Sequence, residues 1–286
     1  MSIKIESGIS YELPKVFLMQ DTGIGTSEVA ARTCYDSFES SENECIRNID
    51  TLGKMNGTNS DLVNNIEHSN LLDDLAWTYF HHSILEHANL TYLIKGTSRG
   101  VLQEEARHRI QSLSVRSTRY TMSSVINAFM AELVGNSTNT VPSSWFISIM
   151  ESLDLFVTID RKYNRLQITD IFNKLKYQLE AIGLEEFIDK AVAKSSKDYV
   201  LNIADSQTLF NTLQAGKNKR NVGDSFKHLV NDNWKVDMVV TFNLRSIKNF
   251  FSLRDSGAAY FQIRWLAQAM KEVTPKKYLD LIIKDN

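Results

Sequence analysis

Two segments of this chain have the pattern of strands with one buried side, and each leads directly into a helix. Leu90, Tyr92 and Ile94, set among Asn89, Thr91 and Lys95, recur at the two-residue period of a half-buried strand, and Ser98 then starts a helix. Lys235 to Phe242 is a Val/Met/Phe run of strand character, and Asn243 stands where it can cap a helix continuing through Leu253. A sheet with an apolar face needs a covering layer, so the pattern describes an α+β fold, a small sheet covered by helices. Strand-like runs at Ile3 to Ile5 and Val16 to Met19 add to the sheet. The covering helices are expected from Ser27, as the cap, through Tyr35, over Leu62 to Phe80, near Ala258 to Lys271 and from Pro275 to Lys284. Ser37 to Asn65 is polar, with one short helix expected, and Ser144 to Ser195 reads as helical scaffold without chemistry on display. No internal repeat is detectable.

At 286 residues, 43% hydrophobic and 23% charged, the chain can bury a sizeable core in one or two domains. The formal net charge of -2 gives no overall attraction for nucleic acid or an anionic membrane. Lys4, Glu6 and Glu12 interrupt the start of the chain, which therefore resembles neither a secretory signal nor a transit peptide. No apolar run approaches the roughly 20 residues that span a bilayer. A cytoplasmic protein is expected, with Cys34 and Cys45 kept as thiols.

Local chemistry is concentrated in two places. Arg107-His108-Arg109 is followed after seven residues by Ser117-Thr118-Arg119. Guanidinium forks grip phosphate through paired hydrogen bonds, and hydroxyls add short donors, so this segment reads as an anion site for a nucleotide. The plainer alternative is a solvated helix face, with Glu105 and Arg109, and Glu104 and His108, as four-apart pairs worth only about 0.2 to 0.5 kcal/mol each. A second cluster favours the site. Asn243 heads it, and Arg245, Asn249 and Leu253 would project along one helix face, with Arg254 beside them, where polar groups would otherwise meet a core.

Other standard sites are missing. Thr22-Gly23-Ile24-Gly25 begins like a dinucleotide loop, but Glu28 takes the third glycine position and no lysine follows in phosphate-loop spacing. His81, His82, Glu86 and His87 lie close together, but their spacing departs from the zinc-protease patterns and no metal is expected. Two other classes of function stay open from the residues alone. One is a nucleic-acid-binding module using Arg107, Arg109, Arg116 and Arg119, and the other a zinc hydrolase built on His81, His82 and His87.

Three blocks in order point to a family. His81-His82-Ser83-Ile84-Leu85-Glu86-His87, the Arg107-His108-Arg109 motif with Ser117, and Asn243-Leu244-Arg245-Ser246 with Asn249 and Leu253-Arg254 resemble the flavin-dependent thymidylate synthases. The resemblance covers about 81 to 120 and 236 to 265, plus Ala30 to Tyr35. It implies a single domain over 1–286 with a small, mainly antiparallel sheet. Insertions near 37–65 and a divergent helical region near 127–224 would be additions to it.

The same resemblance implies reductive methylation of dUMP to dTMP, with methylenetetrahydrofolate giving the carbon, FAD carrying the hydride and NADPH reducing the flavin. Glu104, Arg107, Val115, Arg116, Ser117, Thr118, Arg119 and Lys227 would contact dUMP. His81, Ser83, Glu86, Arg107, His108, Arg109, Asn243, Leu244, Arg245 and Asn249 would hold FAD. Arg254 would touch the substrate and act in catalysis by favouring the ionised N3 of the uracil ring. Cys34 would either border a ligand or serve as a small buried hydrophobe. A homotetramer with active sites shared between subunits is also implied, with no nucleic acid or membrane partner. The chain departs from the family pattern at Ile84, Val115 and Arg116, and at Lys227 where an arginine is usual, with Arg220 as a possible substitute. Those departures leave room for a related pyrimidine methylation or hydroxymethylation.

Overall fold

The computed structural model describes residues 3–49, 63, 65–135, 141–181 and 226–284. They divide into two compact units. One comprises Met1–Glu12, Ser98–Gly100 and Arg116–Val236, and the other Leu13–Thr97, Val101–Val115 and Asp237–Asn286.

A four-stranded sheet belongs chiefly to the second unit. Its strands are β3 (Lys15–Asp21), β4 (Asn89–Ser98), β5 (Gln111–Val115) and β6 (Lys235–Asn243), in the order β3-β4-β6-β5. β3 pairs with β4, and β5 with β6, in antiparallel register. The period-two pattern holds: Leu90, Tyr92 and Ile94 are buried on β4, and Val236, Met238, Val240 and Phe242 on β6. Helices Gly25–Tyr35, Asn70–Trp77, Leu244–Arg254, Phe261–Val273 and Lys276–Ile282 supply the other half of this core. The α+β fold expected from the sequence is what forms.

The first unit has its own core and the two-stranded sheet of β1 (Ile3–Glu6) and β2 (Ile9–Glu12). Phe129 from helix Thr118–Gly135, Phe146 from helix Ser144–Ser152 and Phe172 from helix Arg161–Ala181 meet edge to face at 5.2 to 6.4 Å. Of the helical region expected over Ser144 to Ser195, the helices Ser144–Ser152 and Arg161–Ala181 form, and the part beyond residue 181 lies outside the described residues.

Three helix starts differ from the sequence reading. The first helix begins at Gly25, not Ser27, because the turn before it is fixed by tertiary contacts. Gly23 adopts φ +74°, and its N–H donates to the Tyr278 hydroxyl at 2.9 Å. Ser27 is buried inside the helix with its hydroxyl unpartnered, and a Cβ on Gly25 would lie 1.8 Å from the Val63 carbonyl oxygen. The third described helix begins at Asn70, with Ser69 accepting a hydrogen bond from Leu72 N–H; Leu62, where periodicity placed its start, lies outside the described residues. Ser98 ends β4, so the next helix starts at Arg99 and stops at Glu105.

Candidate active site

The site grows from the helix Leu244–Arg254. Asn243 accepts a hydrogen bond from Ser246 N–H at 2.8 Å, satisfying one of the amides a helix start leaves open. Leu244, Ile247, Phe250 and Phe251 are buried, and at 3.6 residues per turn the opposite face carries Arg245, Lys248, Asn249, Ser252 and Leu253. That face lines a cleft of about 830 Å³. Replacing Asn243 by alanine should cost about 1 kcal/mol, read as a lowered thermal midpoint in calorimetry; an unchanged midpoint would remove the cap from the argument.

The facing wall is a turn rather than the end of a helix. The expected run of helix into Arg107-His108-Arg109 is not formed, because Gln111–Val115 pairs along β6 from Gln111 opposite Phe242 to Val115 opposite Met238. A ladder of backbone hydrogen bonds outweighs helix-face pairs of about 0.2 to 0.5 kcal/mol each. The signal was present in the sequence as the alternation Gln111, Leu113, Val115 against Ser112 and Ser114. The turn delivers Arg107, His108, Arg109 and Ile110 to the cleft.

Arg254 joins the two walls. Its Nε donates to His108 Nε2 at 2.9 Å, Nη1 to the Glu104 carboxylate at 2.7 Å and Nη2 to the Glu104 carbonyl oxygen at 3.1 Å. Arg107 closes on the same carboxylate at 3.2 Å. His108 stacks edge to face on Phe250 at 5.0 Å. Burial, then the Arg254 charge, push the His108 pKa down against the opposing pull of Glu104. The ring is therefore neutral at pH 7, with Nε2 as acceptor and the proton on Nδ1.

Further along, Arg245 pairs with Glu86 at 2.5 Å. The Tyr35 hydroxyl and His81 Nδ1 are 2.8 Å apart, and His81 and Ser83 line a second cavity of about 340 Å³ with the exposed Cys34, not a buried one as one reading had it. Lys248 Nζ lies 3.7 Å from the centre of the Trp77 ring and 3.3 Å from His82 Nε2. Lys248 and His82 line the larger cleft, and neither was assigned to it from the sequence. Lys248 could have been found, because it sits three residues after Arg245 on the same stripe. Among the described residues, no three His, Cys, Asp or Glu side chains are arranged to hold a metal ion, and no helix is long and apolar enough to cross a membrane.

The sequence candidates thus separate. Arg107, His108, Arg109, Arg245, Asn249 and Arg254 share one cleft. Asn243 is engaged as the cap and Leu244 is buried in the core, its N–H donating to the Ala88 carbonyl at 2.9 Å. Val115 ends β5. Arg116, Ser117, Thr118, Arg119 and Lys227 belong to the first unit. There Ser117 accepts from Arg119 N–H at 3.3 Å at the start of the Thr118–Gly135 helix, Thr118 is buried, and Lys227 opens the 3₁₀ turn Lys227–Leu229. Arg220 lies outside the described residues.

Comparison with known proteins gives the family and the fold. The flavin-dependent thymidylate synthase of Campylobacter jejuni strain RM1221 is 28% identical over 264 residues, covering 92% of this chain and 93% of that protein. The enzyme of the same name from Wolinella succinogenes is 26% identical over 269 residues, covering 92% and 94%. Thymidylate synthase X from Helicobacter pylori, solved with FAD and dUMP, superimposes with a TM-score of 0.56 at 20% identity, covering 95% of this chain and 98% of that one. That likeness speaks for the fold. The family model described as thymidylate synthase complementing protein matches residues 18–278. The chain belongs to this family, the flavin-dependent thymidylate synthases, and is an enzyme.

Proposed function

We propose that this enzyme methylates dUMP reductively to dTMP, with methylenetetrahydrofolate as carbon donor, FAD as hydride carrier and NADPH as reductant. The observation that carries the reading is the lining of the larger cleft. Arg107, Arg109, Arg245, Lys248 and Arg254 all reach it, and among the described residues no aspartate or glutamate lines it. A cleft of that charge and size suits ligands with several phosphates and a flat ring system.

The donor set fits a flavin dinucleotide. Arg107, His108, Arg109, Arg245 and Asn249 would hold it, with His81, Ser83 and Glu86 beside them. When bound, the flavin supplies the hydride chemistry. The chain supplies charge and position. Arg254, already oriented by three hydrogen bonds, presents a fixed cation to negative charge developing on the pyrimidine, which costs no reorganisation during the reaction. Val115 and Arg116 would flank the nucleotide, and Ser117, Thr118, Arg119 and Lys227 would take its phosphate through hydroxyl and cationic donors. A homotetramer with shared active sites completes the reading, to be checked by the mass of the active species in solution.

The test begins with the visible spectrum of the purified protein and identification of the chromophore released on denaturation. FAD is expected. The protein is then incubated with dUMP, methylenetetrahydrofolate and NADPH, and the nucleotide product is identified by mass spectrometry. Formation of dTMP supports the reading. A hydroxymethylated product would replace it, and a protein that takes up no FAD, alone or with dUMP, would end it.

A further inference from the structure

Beside Arg254 lies a carboxyl group that the reaction scheme does not use. Glu105 is fully buried, and neither of its carboxyl oxygens has a hydrogen-bond partner. Its backbone carbonyl is occupied, accepting from His108 N–H at 3.0 Å and from Gln111 Nε2 at 2.9 Å. Gln111 Oε1, on β5, is likewise buried without a donor. An ionised carboxylate left bare in such a place is far more costly to bury than the neutral acid.

We propose that Glu105 is a positioning residue which, held as the neutral acid, preserves the surplus positive charge that Arg107 and Arg254 offer to an anionic ligand. The local charges make the case. Arg107 and Arg254 share one carboxylate, Glu104, which leaves one net positive charge. His108, in the turn after the helix, adds none while neutral. Ionising Glu105 would cancel the surplus, at a site whose ligand is an anion. Burial pushes the Glu105 pKa up to about 8, and the Arg254 charge opposes that rise only in part. The sign follows. Glu105 is protonated at pH 7, loses its proton as pH passes about 8, and anion affinity falls over the same range. Folding stability contributed by the neutral acid is full below about pH 4.5 and is lost as pH rises through about 8.

The inference rests on the reading of the cleft as an anion site, and the test separates the two. Infrared difference spectra of the full chain follow the protonated carboxyl band from about pH 6 to 10 against Glu105→Gln, a range that brackets the raised acid. A band present at neutral pH in the wild type, absent in Glu105→Gln and lost near pH 8 is expected. Its absence at neutral pH overturns the proposal. Calorimetric titration with dUMP and with sulfate, an ion that stays dianionic throughout, then compares the two proteins. Relative to Glu105→Gln, wild-type affinity should fall about tenfold across the transition, the effect of one uncancelled charge at partly screened separation. Coincident profiles overturn the proposal, as a merely structural role would move stability and leave the profile alone. Divergence with sulfate but no binding of dUMP would keep the Glu105 role and remove the nucleotide reading. Binding of neither ion would overturn both.

Discussion

Replacing Arg254 by alanine should lower turnover by about a hundredfold to a thousandfold, the range found when one preorganised donor to developing charge is removed. The magnitude follows from how completely the guanidinium is committed. Nε is fixed by His108, Nη1 by the Glu104 carboxylate and Nη2 by the Glu104 carbonyl, so its position is set before any ligand arrives. Alanine removes the cation and leaves Glu104 to Arg107 alone. Lysine should restore only a minor part, because a single ammonium cannot make three hydrogen bonds in one plane. Steady-state rates on both variants decide the matter. Near-normal turnover in Arg254→Ala would remove the arginine from the proposed chemistry.

The second large effect is structural. Phe250→Ala should destabilise the protein by about 3 to 5 kcal/mol, measured as a lowered thermal or denaturant midpoint. Phe250 is fully buried, stands 5.5 Å from Phe242 on β6 and supports His108 edge to face at 5.0 Å. Its loss opens a cavity where sheet, helix and the arginine turn meet, so ligand affinity should fall with stability. Ser252→Ala, two residues on at the exposed face, should stay within about 0.5 kcal/mol of wild type. Equal losses at both positions would mean that the helix is not held by the face described.

Legibility in the sequence followed the range of the forces involved. β4, β6 and the Leu244–Arg254 helix could be read from a few neighbouring residues, because burial on one side imposes a period of two or of 3.6. Asn243 as a cap was readable for the same reason, since its bond reaches only three residues ahead. Ser27 misled, because the turn that starts its helix is held by Tyr278, 255 residues away from Gly23. The arginine motif misled too. Its charged pairs fit a helix at short range, and the strand partner that overrides them stands more than a hundred positions later.

The sequence alone determined the α+β class, the strand and helix faces, the family resemblance and the residues with phosphate-binding chemistry, all of them matters of residue type and local spacing. Only the tertiary structure decided which of those residues meet. It brought Arg254 onto His108 and Glu104 and placed Lys248 and His82 at the same cleft. It also buried Glu105 without a partner beside them. The reason is physical: a periodic pattern states which side of an element is buried, whereas the charge on a buried acid depends on every group the folded chain packs around it.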